Sequence, residues 1–105
     1  VLSRDSRRVA IVVDQVRVRQ WNLADGSAVG PDLVRQDQVY AIDYSPDGER
    51  LATAEWTGAA MVWDAATGIP VAPPLVHEGG VREVRYSPEG HHLVTASWDT
   101  TVRFW

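Results

Sequence analysis

The sequence predicts an all-β protein made of consecutive four-stranded antiparallel blades of a β-propeller, forming an incomplete ring. Three observations carry this prediction. The chain repeats itself every 42 residues, its apolar residues cluster in short strand-like runs, and no segment keeps the helical i, i+3, i+4, i+7 spacing. Short strands between regular turns are typical of sandwiches, barrels and propellers, and a period in the low forties favours the propeller.

The repeat is visible without any alignment gap. Residues 39–63 and 81–105 are identical at ten of 25 positions. Agreement of this kind is not expected by chance, so the chain consists of about two and a half copies of one unit. The landmarks that recur at the offset of 42 are Trp21, Trp63 and Trp105, the segments Tyr44–Pro46 and Tyr86–Pro88, and the pair Trp56 and Trp98.

The first strand of the unit is predicted at 39–44 and 81–86, where β-branched and aromatic residues are frequent. It stops at Ser-Pro-Asp-Gly in the middle copy and at Ser-Pro-Glu-Gly in the last copy. Proline at the second position and glycine at the fourth indicate a tight turn. The second and third strands are predicted at 8–13 and 16–21, at 50–55 and 59–63, and at 92–97 and 101–105.

The fourth strand is predicted at 28–34 and 70–76. Three prolines lie in these segments and remove amide donors, which suits an edge strand and not a central one. They are Pro31, Pro73 and Pro74. A propeller closes with typically four or more blades, so a chain of this length is expected to form only part of a ring. Its first residue is Val1 and not methionine, which agrees with a piece of a longer protein.

The composition excludes several classes of protein. With 45% hydrophobic and 23% charged residues, the 105-residue chain has the balance of a single folded domain. Its formal net charge of −4 argues against a nucleic-acid partner, and the absence of cysteine removes disulfides, thiolate metal sites and thiol catalysis. The apolar runs are far shorter than the ~20 residues of a membrane span. We therefore expect a cytoplasmic protein without a membrane partner.

Three sequence features resemble the WD-repeat β-propeller family. They are the turn Ser45–Gly48, the segment Thr95–Trp105, and His77 placed four residues before Val81. The resemblance covers essentially the whole chain. The linkers are similar to those of bacterial WD repeats, which are often attached to signalling serine/threonine kinases or NTPases.

The resemblance implies a division of the chain into blades, each with its innermost strand first and its outermost strand last. Residues 1–38 are expected to form a partial blade with the end of an innermost strand and three further strands. Residues 39–80 are expected to form a complete blade with its linker. Residues 81–105 are expected to form a partial blade that lacks the outermost strand.

The resemblance also implies a buried structural hydrogen-bond network in the last repeat. Its expected members are His77, Thr95, Ser97, Asp99 and Trp105. Hydroxyl, histidine and aspartate also make up catalytic triads, but no motif here supplies an exposed nucleophile with oxyanion donors. The structural interpretation is therefore favoured, and we expect no enzyme. In the middle repeat Arg35 and Thr57 replace the histidine and the aspartate, which weakens the expectation of the same network there.

Four residues correspond to positions that the family presents on the narrower face of the ring. They are Tyr40, Trp56, Arg82 and Trp98. Tryptophan, tyrosine and arginine are enriched in interface hot spots, so these residues are candidates for partner binding. The alternative is that both tryptophans pack between blades as large core residues.

The leading functional hypothesis is a non-catalytic scaffold that binds a protein or peptide on the blade-top face, with no cofactor. The alternative is a purely architectural or regulatory role for blades attached to a signalling kinase or NTPase. No metal site is expected, because the adjacent His91 and His92 point to opposite faces of a strand. Open blade edges also predict self-association of the isolated piece.

Overall fold

β-Strands are the regular secondary structure of the residues described by the computed structural model, 1–35 and 37–105, and no helix occurs among them. This confirms the all-β prediction. The strands are β1 (Arg8–Val13), β2 (Arg17–Asn22), β3 (Leu33–Val34), β4 (Val39–Tyr44), β5 (Arg50–Glu55), β6 (Ala59–Asp64), β7 (Leu75–Val76), β8 (Val81–Tyr86), β9 (Leu93–Ser97) and β10 (Val102–Phe104).

The strands form three antiparallel sheets that follow one another along the chain. The first sheet has the order β1-β2-β3, the second β4-β5-β6-β7, and the third β8-β9-β10. Each strand therefore pairs with its neighbour in sequence, as in a meander. Consecutive antiparallel sheets of three and four strands are the arrangement expected for the blades of an incomplete propeller.

The innermost strands β4 and β8 contain an irregularity at the same place in the repeat. The pairing of β4 with β5 skips Tyr40, and the pairing of β8 with β9 skips Arg82. A bulge of this kind leaves one residue outside the regular ladder and increases the local twist of the strand. Tyr40 and Arg82 are thereby released from the alternation that fixes their neighbours.

The turn after β4 is held by its own polar side chains. Ser45 Oγ donates to Asp47 Oδ1 over 2.6 Å, and the same oxygen accepts the Glu49 amide at 2.9 Å. The Ser45 hydroxyl and the Glu49 amide together hold the pKa of Asp47 below its ordinary value. Gly48 closes the turn at φ +72°, a conformation that disfavours a side chain. Short-range bonds therefore fix the end of the innermost strand.

The fourth strand is much shorter than the sequence suggests, so the prediction of seven-residue strands was wrong. Only Leu33–Val34 and Leu75–Val76 form strands, although isolated bridges join Trp21 to Ala28 and Trp63 to Pro70. The prolines in these segments have no amide to donate, which interrupts the ladder. The last copies of the second and third strands are also shorter than predicted, at 93–97 and 102–104.

The core lies in two seams between neighbouring sheets. The first seam, between the first and second sheets, holds the larger side chains, and the second seam, between the second and third sheets, is built on smaller ones. The first-seam cluster includes Val18, Leu33, Tyr44, Leu51, Met61 and Trp63. The second-seam cluster contains Ala52, Ala54, Val81, Val84 and Leu93. Each fully buried aliphatic side chain contributes roughly 1.5–3 kcal/mol, so the seams hold the sheets face to face.

Candidate functional site

Three aromatic side chains from two sheets meet on one exposed surface. Tyr40 contacts Trp56 and Trp98 with ring centroids 5.8 and 5.0 Å away, and the two tryptophans are 5.6 Å apart. All three contacts are edge-to-face, a favourable geometry for aromatic pairs. The exposed fractions are 40% for Tyr40, 52% for Trp56 and 51% for Trp98. Both tryptophans are therefore only about half buried, although they contact each other across two sheets, and we call this group the aromatic trio.

The backbone of the loops before β4 and β8 positions the two tryptophans in the same way. The Trp56 amide donates to the Gln38 carbonyl, and the Trp98 amide donates to the Gly80 carbonyl, both over 2.9 Å. A Cβ atom at Gly80 would lie 2.9 Å from the Trp56 carbonyl oxygen and 3.0 Å from the Trp98 ring. Gly80 is therefore required for the close approach of the trio, a role that the sequence did not reveal.

Side-chain amides extend the trio toward the first sheet. The Tyr40 hydroxyl donates to Gln38 Oε1 over 3.2 Å, and Gln38 Nε2 donates to Gln15 Oε1 over 3.0 Å. Gln15 lies in the turn between β1 and β2. All three sheets thus contribute a turn or loop residue to this surface.

Arg82, the fourth candidate binding residue, takes no part in the contacts among the aromatic rings. Its side chain is exposed, and it occupies the bulge position of β8 that Tyr40 occupies in β4. Within the described residues, no carboxylate forms an ion pair with its guanidinium. Of the four candidate binding residues, the structure thus brings Tyr40, Trp56 and Trp98 together, and Arg82 lies outside their ring contacts.

The last repeat contains a continuous chain of side-chain hydrogen bonds. Trp105 Nε1 donates to Thr95 Oγ1 over 2.8 Å, and Thr95 Oγ1 lies 2.6 Å from His77 Nε2. His77 Nδ1 is 3.1 Å from Asp99 Oδ2. Because the Asp99 carboxylate can only accept, Nδ1 is assigned as the nitrogen that donates to it, which leaves Nε2 to accept from the Thr95 hydroxyl. The imidazole is fully buried.

Asp99 collects further donors around the network. The Glu78 amide donates to Oδ2 over 3.1 Å, while the amide and hydroxyl of Thr101 donate to Oδ1. These bonds, above all the one from the Thr101 hydroxyl, hold the pKa of Asp99 well below its ordinary value. Ser97, the remaining expected member, donates its hydroxyl to the carbonyls of Gly79 and Gly80, each 3.0 Å away. Thr101 also belongs to the network, although it was not predicted from the sequence.

The middle repeat carries a different network at the equivalent place. Arg35 Nε donates to Glu55 Oε1 over 3.0 Å, and the guanidinium lies 5.1 Å from the centre of the Trp63 ring. Trp63 Nε1 donates to Thr53 Oγ1 over 3.1 Å, as Trp105 does to its own threonine. The histidine and aspartate are absent as predicted, and a different set of polar side chains forms a network in their place. The part that Glu55 plays in it was not predicted from the sequence.

The two seams differ in their polar contacts. In the first seam the Tyr44 hydroxyl donates to Gln20 Oε1 over 2.7 Å, and Gln20 Nε2 donates to the Ala65 carbonyl over 2.7 Å. In the second seam the equivalent Tyr86 hydroxyl is buried and has no partner among the described residues. Val62 stands where the first seam has Gln20. Burial raises the pKa of both tyrosines to about 12.

The described residues contain no cluster of side chains suited to metal binding. No group of three or more histidine, aspartate or glutamate side chains among them could hold a metal ion. A shallow cavity of about 330 Å³ lies near the turns after β4 and β8, and its lining includes Tyr86 and Ser45, whose hydroxyl is bonded to Asp47. In the same part of the chain, no helix is long and apolar enough to cross a membrane.

Comparison with known proteins agrees with this geometry. No curated protein matches the chain. A family model described as WD domain, G-beta repeat, matches residues 33–64 and 73–105, which together make up more than half of the chain. The two matches cover the second and third sheets, with both networks and the aromatic trio. The chain therefore belongs to the WD-repeat family.

Proposed function

We propose that this chain is part of a non-catalytic scaffold that binds a protein or peptide through the surface around Tyr40, Trp56, Arg82 and Trp98. WD repeats generally mediate protein–protein interactions, which gives the broad class of function. The observation that supports this surface is the aromatic trio, whose three rings are each about half exposed. Soluble proteins rarely expose a contiguous apolar patch without using it for binding.

The chemistry of the surface favours a peptide with an acidic or aromatic anchor. The trio offers ring faces and edges for stacking, and the exposed Arg82 guanidinium can pair with a carboxylate in a bidentate manner. Aromatic side chains lose little conformational freedom on binding, so they suit the centre of an interface. The overall charge of −4 does not favour nucleic acid.

One observation favours a second, architectural function. Trp56 belongs to the second sheet and Trp98 to the third, so their contact also joins two blades. A trio that only closes the top of the second seam would stabilise the ring and bind nothing. In that case the blades would complete or regulate a larger protein, such as one with a signalling kinase or NTPase domain.

Peptide selection against the intact protein distinguishes the two functions. Peptides selected from a displayed library would be titrated against the unaltered protein, Trp98→Ala, Arg82→Ala, and the control Ile69→Ala, whose side chain is 61% exposed between β6 and β7. A binding surface predicts that Trp98→Ala weakens affinity by more than about fivefold, in line with a hot-spot residue, while Ile69→Ala has no effect. Equal affinity for Trp98→Ala and the unaltered protein would contradict the proposal.

Stability measurements complete the test. For a binding surface, Trp98→Ala should lose affinity without a comparable fall in melting temperature. For an architectural trio, the same variant should lower the melting temperature and leave no specific peptide affinity to lose.

A further inference from the structure

Glu55 is a buried carboxylate that uses only half of its hydrogen-bonding capacity. Its side chain is 2% exposed, and Arg35 Nε donates to Oε1 over 3.0 Å. The other oxygen, Oε2, is buried without a partner among the described residues. An unsatisfied buried polar group destabilises the folded state, so this oxygen calls for a chemical explanation.

The equivalent residue in the last repeat shows what the surrounding backbone requires. Ser97 stands 42 residues after Glu55, and its hydroxyl donates to the carbonyls of Gly79 and Gly80. The corresponding carbonyls in the middle repeat belong to Asp37 and Gln38. The backbone there is held alike, because the amides of Trp56 and Trp98 donate to equivalent carbonyls over the same 2.9 Å. In the last repeat this place is therefore occupied by a hydrogen-bond donor, whereas in the middle repeat it is occupied by a carboxyl group.

We propose that Glu55 is a proton-dependent latch for the loop before β4, which contacts the aromatic trio through Gln38. A carboxylate has only acceptors, whereas a carboxylic acid has one O–H donor. Protonated Glu55 can donate from Oε2 to the carbonyl of Asp37 or Gln38, as Ser97 does, and still accept from Arg35 at Oε1. Deprotonated Glu55 keeps its bond to Arg35 and the neighbouring Thr53 hydroxyl, but it has no hydrogen to donate to the loop.

The latch connects to the proposed binding surface through Gln38. This residue accepts the Trp56 amide with its carbonyl and the Tyr40 hydroxyl with its side chain. A change in the bonds to the loop therefore reaches two members of the trio. This regulatory consequence rests on the proposed function, whereas the protonation of Glu55 does not.

The charges around Glu55 act in opposite directions. Burial raises the pKa of Glu55 above its ordinary value near 4.5, the bond and charge of Arg35 oppose this, and Asp37 adds to the rise. The other charged residues on the strands packed against β5 lie farther along or on exposed faces: Asp43 on β4, Asp64 on β6, and Arg82, Glu83 and Arg85 on β8. Because the pKa is raised on folding, this group stabilises the fold fully below its ordinary pKa, and that stability is lost as the pH rises through the folded value.

Glu55→Gln tests the latch directly, because glutamine keeps both an acceptor for Arg35 and an N–H donor at every pH. Denaturant unfolding of the intact protein would be followed between about pH 4 and about pH 8 for the unaltered protein, Glu55→Gln and Glu55→Ser. Both variants should gain stability relative to the unaltered protein as the pH rises. The matched control is Glu83→Gln, an exposed carboxylate whose replacement should produce no such trend. A stability difference that stays constant over this range for both Glu55 variants would overturn the proposal.

The indole N–H signals of Trp56 and Trp98 test whether the latch reaches the surface. In the unaltered protein these NMR signals should shift with a midpoint above pH 4.5, the ordinary glutamate value, and they should not shift in Glu55→Gln. Trp21, in the first sheet, serves as the internal reference. Static signals of Trp56 and Trp98 would overturn the coupling to the surface. Neither measurement needs a partner, so failure of the latch is distinguishable from failure of peptide binding.

Discussion

The middle and last blades join the same strands and loop with different chemistry. In the last blade the His77 imidazole links Thr95 to Asp99, and several backbone and hydroxyl donors surround the aspartate. In the middle blade an ion pair between Arg35 and the buried Glu55 replaces them. The repeat therefore specifies the places where polar groups must meet and not the residues that meet there. A lost motif residue does not mean a lost network.

The largest expected difference in stability between the two blades concerns the tryptophan at the end of the third strand, Trp63 in the middle blade and Trp105 in the last. Trp63 is 5% exposed and Trp105 is 37% exposed. Trp63→Ala should lower the free energy of unfolding by about 3–5 kcal/mol, because it leaves a cavity in the first seam. Trp105→Ala should lower it clearly less, since part of that ring is already in water. Chemical denaturation of both variants checks this, and equal losses would mean that the two blades are packed alike.

A second prediction concerns the loss of stability of the last blade at low pH. Hydrogen bonds depress the pKa of Asp99 in the folded state, so the stability that it contributes is present above its ordinary value of 3.8 and is lost as the pH falls below it. Asp99→Asn should therefore be less stable than the unaltered protein at neutral pH, and the gap should narrow on acidification. The pH trend is opposite to that of Glu55, whose pKa is raised.

Thr57→Ala is the matched control for Asp99, since Thr57 occupies the same turn of the middle blade. At neutral pH, Thr57→Ala should lower the free energy of unfolding by less than Asp99→Asn does. Its difference in stability from the unaltered protein should not shrink as the pH falls. Unfolding midpoints of Asp99→Asn and Thr57→Ala, measured at several pH values, test this difference between the two blades. A gap for Asp99→Asn that widens toward low pH would contradict the assigned network.

The smallest expected change in stability comes from a substitution in the second seam. Val62→Gln should provide Tyr86 with the partner that Gln20 provides for Tyr44, and it should add up to about 1 kcal/mol to the free energy of unfolding. In a Tyr86→Phe background the same substitution should bring no gain. This double-mutant cycle isolates the new hydrogen bond. A gain of equal size with and without the hydroxyl would show that packing, and not the bond, is responsible.

The repeat made much of the fold predictable. Strands at 39–44, 50–55 and 81–86 agree with the structure, because apolar patterning and the Ser-Pro turns define their ends. The fourth strand was overestimated because β-branched and apolar residues there favour a strand, while the prolines deny it a ladder. Local propensity could not decide between these two influences.

The site was less predictable, because its contacts span the sheets. The buried position of Glu55 could not be read from the sequence, where a charged residue at a strand end indicates solvent. The need for Gly80 depends on how close two tryptophans from different sheets come to each other. Similarly, the unpaired Tyr86 hydroxyl follows from Val62, which lies 24 residues away in the neighbouring blade.

The bulges in β4 and β8 have a consequence for how the protein can diversify. A residue outside the ladder contributes no register information, so tyrosine at position 40 and arginine at position 82 are exchangeable without a change in strand pairing. The second and third sheets thus each carry, at this position, one side chain that strand pairing does not determine. Duplication of the unit followed by substitution at this one position would give a family of scaffolds that share a backbone and differ in the ligands they select.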